Sequence, residues 1–150
     1  GQFLSEEKVN LVGKKGTMRA SVLGPARSAA QVEISMTDKR ILGVEAPVRE
    51  SGHLDGAGNI TIEGPKGTLK DIPAAIVAHN HIHVPTDIAR KMDLKDGERV
   101  SVQMLSERML TFDDVVIRVS DKYRYKMHID FDEANAAMVS GFTLGKIIKH

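Results

Sequence analysis

Hydrophobic and polar residues alternate along most of this chain, which is the pattern of half-buried β-strands. The clearest strand segments are 9–12, 17–23, 60–63, 99–104 and 115–119. Two tetrapeptides bounded by glycine, Gly13–Gly16 and Gly64–Gly67, interrupt the pattern and predict hairpin turns. The alternation therefore predicts a mainly β protein.

Helices are predicted only as short segments between strands. Residues 86–92 follow Pro85, and Thr86 or Asp87 can cap the first turn. Residues 37–40 begin a similar turn, and residues 132–137 carry acids in their first turn, which the helix dipole favours.

The two hairpins match one another at an offset of 51 residues, Gly13 with Gly64 and Gly16 with Gly67. After each hairpin come an apolar stretch, a polar strand and a Thr-Asp pair. We interpret this pattern as a diverged internal duplication, which predicts two similar β-rich units with a site at their junction. The predicted division is residues 1–55, residues 56–137 and a C-terminal tail of residues 138–150.

Composition narrows the function classes. The chain has 150 residues and a formal net charge of +1, which gives no electrostatic reason to expect nucleic acid as a partner. The absence of cysteine excludes disulfides, thiolate metal ligands and a cysteine nucleophile. No apolar run reaches transmembrane length and no signal-peptide pattern opens the chain, so we expect no membrane partner and a cytoplasmic location.

Three of the six histidines, His79, His81 and His83, alternate within five residues. In one extended strand they would share a face, and neutral imidazole is a common ligand for transition metals. A solvated polar strand face is the alternative interpretation.

Two other segments also carry polar groups on one face of an apolar strand. Residues 31–35 place Glu33 opposite Val32 and Ile34, and residues 125–130 place His128 opposite Met127 and Ile129. Buried polar groups need partners, and a metal satisfies several at once. The four side chains that make a plausible Zn²⁺ set are Glu33, His81, His83 and His128. Alternatively, Glu33 pairs with a surface lysine and His128 is a hydrogen-bonded core histidine.

Arg27 and Arg49 lie in predicted loops, where an arginine can present its planar fork to a phosphate or carboxylate or can simply be solvated.

Six segments in a fixed order resemble the PduL-type phosphate acyltransferases of bacterial microcompartments and acetate-producing pathways. The likeness runs from about Gly1 to Ala137. The segments are Gly24–Ser28, Gln31–Ser35, Ala46–Gly52, His81–His83, Leu110–Val115 and Met127–Ala137.

This resemblance implies a fold, a reaction and a site. The family consists of two small β-barrel units with short capping helices, and it interconverts a short-chain acyl-CoA plus phosphate with an acyl phosphate plus coenzyme A. It carries two zinc ions, one of them on a glutamate and three histidines that fall on Glu33, His81, His83 and His128. Its catalytic, phosphate-binding arginine falls on Arg27. The side chains expected to adjoin this site are His79, Asn80 and Arg49.

A homodimer, and location inside a bacterial microcompartment with contacts to its shell or lumen, are further expectations that stay open at this point. The family opens with a His-x-His segment that holds the other zinc, and this sequence begins at Gly1 without it. We therefore expect the first unit to be incomplete at its N-terminus and one zinc to be held fully by this chain. Asn80 stands where the family usually has arginine, which is expected to weaken anion binding.

Two other functions stay open at this point. One is a catalytically incomplete, zinc-stabilised fragment or binding module. The other is a cupin-like metal enzyme, since His81, His83 and Asp87 with a distant His128 approximate the cupin ligand pattern. A cupin requires Asp87 to lie on a continuing strand.

Overall fold

A computed structural model describes residues 3–150 as eleven strands and three short helices. The chain folds as two compact units, one ending at Ala78 and the other comprising His79–His150. Each unit has its own hydrophobic core. The predicted mainly β class is confirmed, and the two curled sheets are consistent with two small barrel units.

The first unit contains one mixed sheet and one helix. Its strand order is β2-β1-β5-β6-β3, with β4 also paired to β6. Both predicted hairpin turns are present, since β1 pairs with β2 and β5 with β6 on either side of them. Its elements are β1 (Phe3–Val12), β2 (Thr17–Gly24), β3 (Val32–Glu33), α1 (Met36–Leu42), β4 (Val48–Arg49), β5 (Gly58–Gly64) and β6 (Gly67–Ala78).

The second unit contains a five-stranded sheet in the order β10-β7-β9-β8-β11. Strand β7 pairs parallel with β9 and antiparallel with β10, which places β7 between them. Its elements are β7 (His81–Val84), α2 (Thr86–Met92), β8 (Arg99–Met104), β9 (Thr111–Val119), β10 (Lys126–His128), α3 (Phe131–Ala136) and β11 (Gly145–Lys149).

Local hydrogen bonds define two of the three predicted helices. Ser35 and Asp38 form a reciprocal capping box at the start of α1, and Asp130 and Glu133 form another at the start of α3. The predicted cap of α2 is wrong, because Pro85 occupies the N-cap position and no side chain caps the helix.

The structure divides the chain at a different point from the predicted boundary at residues 55 and 56. Strands β5 and β6 belong to the first unit, because β5 pairs with β1 and β6 pairs with β3 and β4. Residues 138–150 are not simply a tail, since β11 within them pairs with β8. Among residues 3–150, no helix is long and apolar enough to cross a membrane.

We predict that Gly58→Ala destabilises the protein and that Gly64→Ala, on the same strand, does not. A Cβ at Gly58 would lie 1.3 Å from the carbonyl oxygen of Glu45, so the backbone must move. A Cβ at Gly64 meets nothing closer than a Val9 methyl at 3.6 Å. Thermal unfolding followed by circular dichroism should show that Gly58→Ala lowers the free energy of unfolding by more than about 2 kcal/mol. Equal stability of the two variants would contradict the close approach.

Candidate metal centre

Two apolar side chains determine which face of strand β7 packs against the core. Ile82 and Val84 are buried in the core of the second unit, at 3% and 0% exposure. Because side chains alternate along a strand, His81 and His83 face the other side of the sheet. The prediction that these two histidines share a face is confirmed.

Strand β10 adds the third histidine through antiparallel pairing. His128 lies directly opposite His81, while Met127 lies opposite Ile82 and packs against the same core. The ring centroid of His128 is 5.0 Å from that of His81 and 4.3 Å from that of His83. One ligand nitrogen from each of the three rings lies within 4.8 Å of the others. We call His81, His83 and His128 the histidine group.

Hydrogen bonding fixes which nitrogen His81 can offer to a metal. Its Nδ1 lies 2.9 Å from the backbone carbonyl oxygen of His79. A carbonyl oxygen only accepts, so Nδ1 carries the proton and donates, and Nε2 is the ring nitrogen that bears a lone pair. Metal-binding histidines are commonly held in this way by a hydrogen bond on the opposite ring nitrogen.

Burial and neighbouring charge keep the other two rings neutral. Burial lowers the pKa of His83 to about 4, with further contributions from His128, His81 and Arg118. Burial also lowers the pKa of His128 to about 4, assisted by the charges of His81, Lys126 and Arg118. Neutral imidazoles have the lone pairs that a transition metal needs.

The donor set therefore fits a transition metal. Three imidazoles on one rigid sheet face match the protein ligands of a catalytic zinc site, in which another position is left for water, substrate or a further ligand. Zinc, copper, iron and nickel all accept imidazole.

A family model described as phosphate propanoyltransferase matches residues 1–140 of the chain. The chain belongs to the phosphate propanoyltransferase family. It is similar to the phosphate propanoyltransferase of Clostridioides difficile (strain 630), with 45% identity over 99% of this chain and 72% of that protein. The phosphate propanoyltransferase of Leptotrichia buccalis is 47% identical over 97% of this chain and 68% of its own length.

Membership of the phosphate propanoyltransferase family confirms the resemblance and the acyltransferase class predicted from the sequence.

Three other predicted site residues lie in the first unit. Glu33 is exposed on β3 and accepts a hydrogen bond of 2.9 Å from Gln31 Nε2, while its neighbours Val32 and Ile34 enter the core as predicted. Arg27 is exposed in the loop between β2 and β3. Arg49 donates to the backbone carbonyls of Val48 and Asp55.

His79 is not one of the three histidines whose ring nitrogens lie close enough together to hold one metal. The strand breaks at residues 79 and 80, between β6 and β7. His79 instead lies 3.3 Å from both Asp114 Oδ2 and a guanidinium nitrogen of Arg99.

Asn80 connects the start of β7 to α3. Its side-chain amide donates a 2.6 Å hydrogen bond to Glu133, whose carboxyl also belongs to the α3 capping box. Burial raises the pKa of Glu133. The predicted neighbour of the ligands is therefore linked to the helix that directly follows His128.

Two further side chains adjoin the histidine group and were missed from the sequence. The ring of Tyr123 stacks on His83, with centroids 3.9 Å apart and planes inclined by 8°. Arg118 is the parallel-strand partner of His83. The sequence contains an indication for Arg118, which is a charged residue within the apolar run 115–119. It contains none for Tyr123, which lies outside any predicted element.

The cupin-like alternative is not supported. Asp87 lies in helix α2 rather than on a continuation of β7, and it is exposed. Among residues 3–150, the group of side chains placed to hold a metal is formed by the three histidines without Asp87.

We predict that His83→Ala and His128→Ala each weaken Zn²⁺ binding by at least about tenfold, since even neighbours of metal ligands contribute that much. His53→Ala, which alters a histidine in a turn of the first unit, is the matched control. Isothermal titration with Zn²⁺ would measure the dissociation constants. Unchanged affinity in both ligand variants would exclude the histidine group as the metal site.

In the metal-free protein, stability should fall as the pH drops from 6.5 towards 4. The unfolded imidazoles of His83 and His128 take up protons from pH 6.5 downwards, whereas the folded ones do so only near 4. Acid therefore favours the unfolded chain within this window. Urea midpoints measured with a chelator should decline less steeply for the His83→Gln/His128→Gln double variant. An equally steep decline would show that other groups cause it.

Proposed function

We propose that the chain is a phosphate acyltransferase that interconverts a short-chain acyl-CoA plus phosphate with an acyl phosphate plus coenzyme A at a zinc site. Family membership supports the reaction class. The observation that supports the site is the histidine group, in which one ligand nitrogen from each of three imidazoles lies within 4.8 Å of the others. Location in a microcompartment and dimer formation stay predictions.

In this proposal His81, His83 and His128 hold the zinc, with Glu33 as the fourth ligand. The support for Glu33 is its position in the resembling segment 31–35 and its exposed carboxylate on β3. When bound, the zinc supplies a Lewis acid that stabilises negative charge on an acyl oxygen or a leaving sulfur.

Arg27 is proposed to bind the phosphate. Its guanidinium can donate two parallel hydrogen bonds to phosphate oxygens, which both neutralises and orients the nucleophile. Free phosphate is hydrated and tumbles, so holding it in attack geometry removes much of the entropic barrier. The exposed loop between β2 and β3 leaves this side chain accessible.

The proposed transfer is direct. A phosphate oxygen attacks the thioester carbonyl carbon, a C–O bond forms, and the carbonyl π electrons move to oxygen in a tetrahedral intermediate. Collapse re-forms the carbonyl and breaks the C–S bond, and the sulfur leaves with the electron pair as the thiolate of coenzyme A. The step requires no covalent enzyme intermediate, in keeping with a chain that has no cysteine.

Arg27→Gln should raise the KM for acyl phosphate by at least about tenfold, because a charge-assisted bidentate contact is lost. The matched control is Arg19→Gln, an exposed arginine on β2. The assay mixes acetyl phosphate and coenzyme A with the zinc-loaded protein and follows thioester formation by ultraviolet absorbance.

The same assay tests the site as a whole. His81→Ala/Glu33→Ala should abolish turnover, and full activity in that double variant would overturn the zinc mechanism. Bound zinc without any turnover in the unmodified chain would support the zinc-stabilised binding module instead.

A further inference from the structure

Two cations flank His83, one on each of the two strands that pair with β7. Lys126 on β10 is its antiparallel partner, and Arg118 on β9 is its parallel partner. Directly paired residues project from the same face of a sheet. Lys126, His83 and Arg118 therefore form a row across β10, β7 and β9, which we call the cationic row.

The face of Arg118 follows independently from the packing of β9. Val115 and Ile117 are both fully buried in the core of the second unit. Alternation along the strand then directs Arg118 to the opposite side, where the histidines lie.

Electrostatics agree with this placement. After burial and the neighbouring histidines, the charge of Arg118 helps to lower the pKa of His83. The charges of Lys126 and Arg118 likewise act on His128. Both cations are thus close enough to the histidine group to influence it.

Among residues 3–150, neither cation of the cationic row forms an ion pair with a carboxylate. Within residues 3–150, the ion pairs of the second unit join His79 and Arg99 to Asp114, and Lys149 to Asp93 and Glu98. None includes Arg118 or Lys126. A bound metal would add further positive charge at the same place, so this face of the sheet favours an anion.

We propose that Arg118 and Lys126 form an anion subsite beside the histidine group and that it binds a phosphoryl group of the substrate. The identity of the substrate rests on the proposed function. Arg118 would supply a planar fork for two phosphoryl oxygens, and Lys126 a mobile point charge. The phosphoryl group belongs either to phosphate and acyl phosphate or to the nucleotide part of coenzyme A.

Equilibrium binding tests the subsite without depending on turnover. Inorganic phosphate and coenzyme A would each be titrated calorimetrically into the zinc-loaded protein. Arg118→Gln should weaken one of these ligands by about tenfold, and Lys126→Gln should weaken the same ligand by a smaller factor. Loss confined to inorganic phosphate identifies the reacting phosphoryl group. Loss confined to coenzyme A, with pantetheine binding unchanged, identifies the nucleotide phosphates.

Arg108→Gln is the matched control, because this substitution removes the same charge from the same unit. Arg108 is exposed in the turn between β8 and β9. Circular dichroism and the thermal midpoint would verify folding, and Arg118→Lys should recover part of the affinity. Lys126 is exposed, so Lys126→Gln gives a second test that does not disturb packing. Unchanged affinity for both ligands in Arg118→Gln and Lys126→Gln would overturn the anion subsite.

Steady-state kinetics separates this inference from the proposed function. Transferase activity with normal ligand affinity in both variants would refute the subsite and leave the function standing. Phosphate binding that depends on Arg118, in a protein without transferase activity, would support the subsite and refute the function. In an active enzyme, Arg118→Gln should raise the KM for the affected substrate more than it lowers kcat.

Discussion

The antiparallel pairing of β7 with β10 is the constraint on which the candidate site depends. Three apolar side chains pack in the core of the second unit, namely Ile82, Val84 and Met127. The alternating residues His81, His83 and His128 therefore lie on the opposite face of the sheet. Because side chains alternate, a slip of one residue in this register would exchange the histidines with the apolar residues. Exposing these apolar side chains and moving the imidazoles into the apolar core would cost free energy, and this stabilises the observed register. Core packing thus holds three imidazole nitrogens that could bind a metal within 4.8 Å of one another.

This arrangement has an electrostatic consequence. Burial lowers the pKa of His83 and of His128 to about 4, and neighbouring charges add to the effect, so these two rings of the histidine group are neutral near pH 7. The same group lies beside Arg118 and Lys126, which repel protons from the imidazoles and attract anions. A divalent metal bound here would be available to an anionic substrate while the adjoining cations assist. Both kinds of interaction can stabilise negative charge on a phosphoryl group, and the chain belongs to the phosphate propanoyltransferase family.

Much of the local structure is predictable from the sequence, because faces and turns are local properties. Alternation alone predicts that His81 and His83 lie on one side of a strand. It also predicts that His128 and Met127 face opposite sides, without knowledge of the strand pairing. Pairing itself is non-local. The register of β10 against β7, the position of Arg118 beside His83, and the incorporation of β11 into the second sheet depend on strand partners that periodicity does not specify. His79 lies outside the histidine group, next to a break in the strand at residues 79 and 80. Its cause is likewise non-local, since the backbone there ends one sheet's strand and begins another's.

Zinc K-edge X-ray absorption of the zinc-loaded protein tests the histidine group most directly, because it reports the atoms bound to the metal. We expect scattering from three imidazoles with Zn–N distances of about 2.0–2.1 Å. In His83→Ala, one imidazole contribution should be replaced by oxygen. A zinc coordinated only by oxygen atoms, with a spectrum identical in His83→Ala, would contradict a metal centre built on β7 and β10.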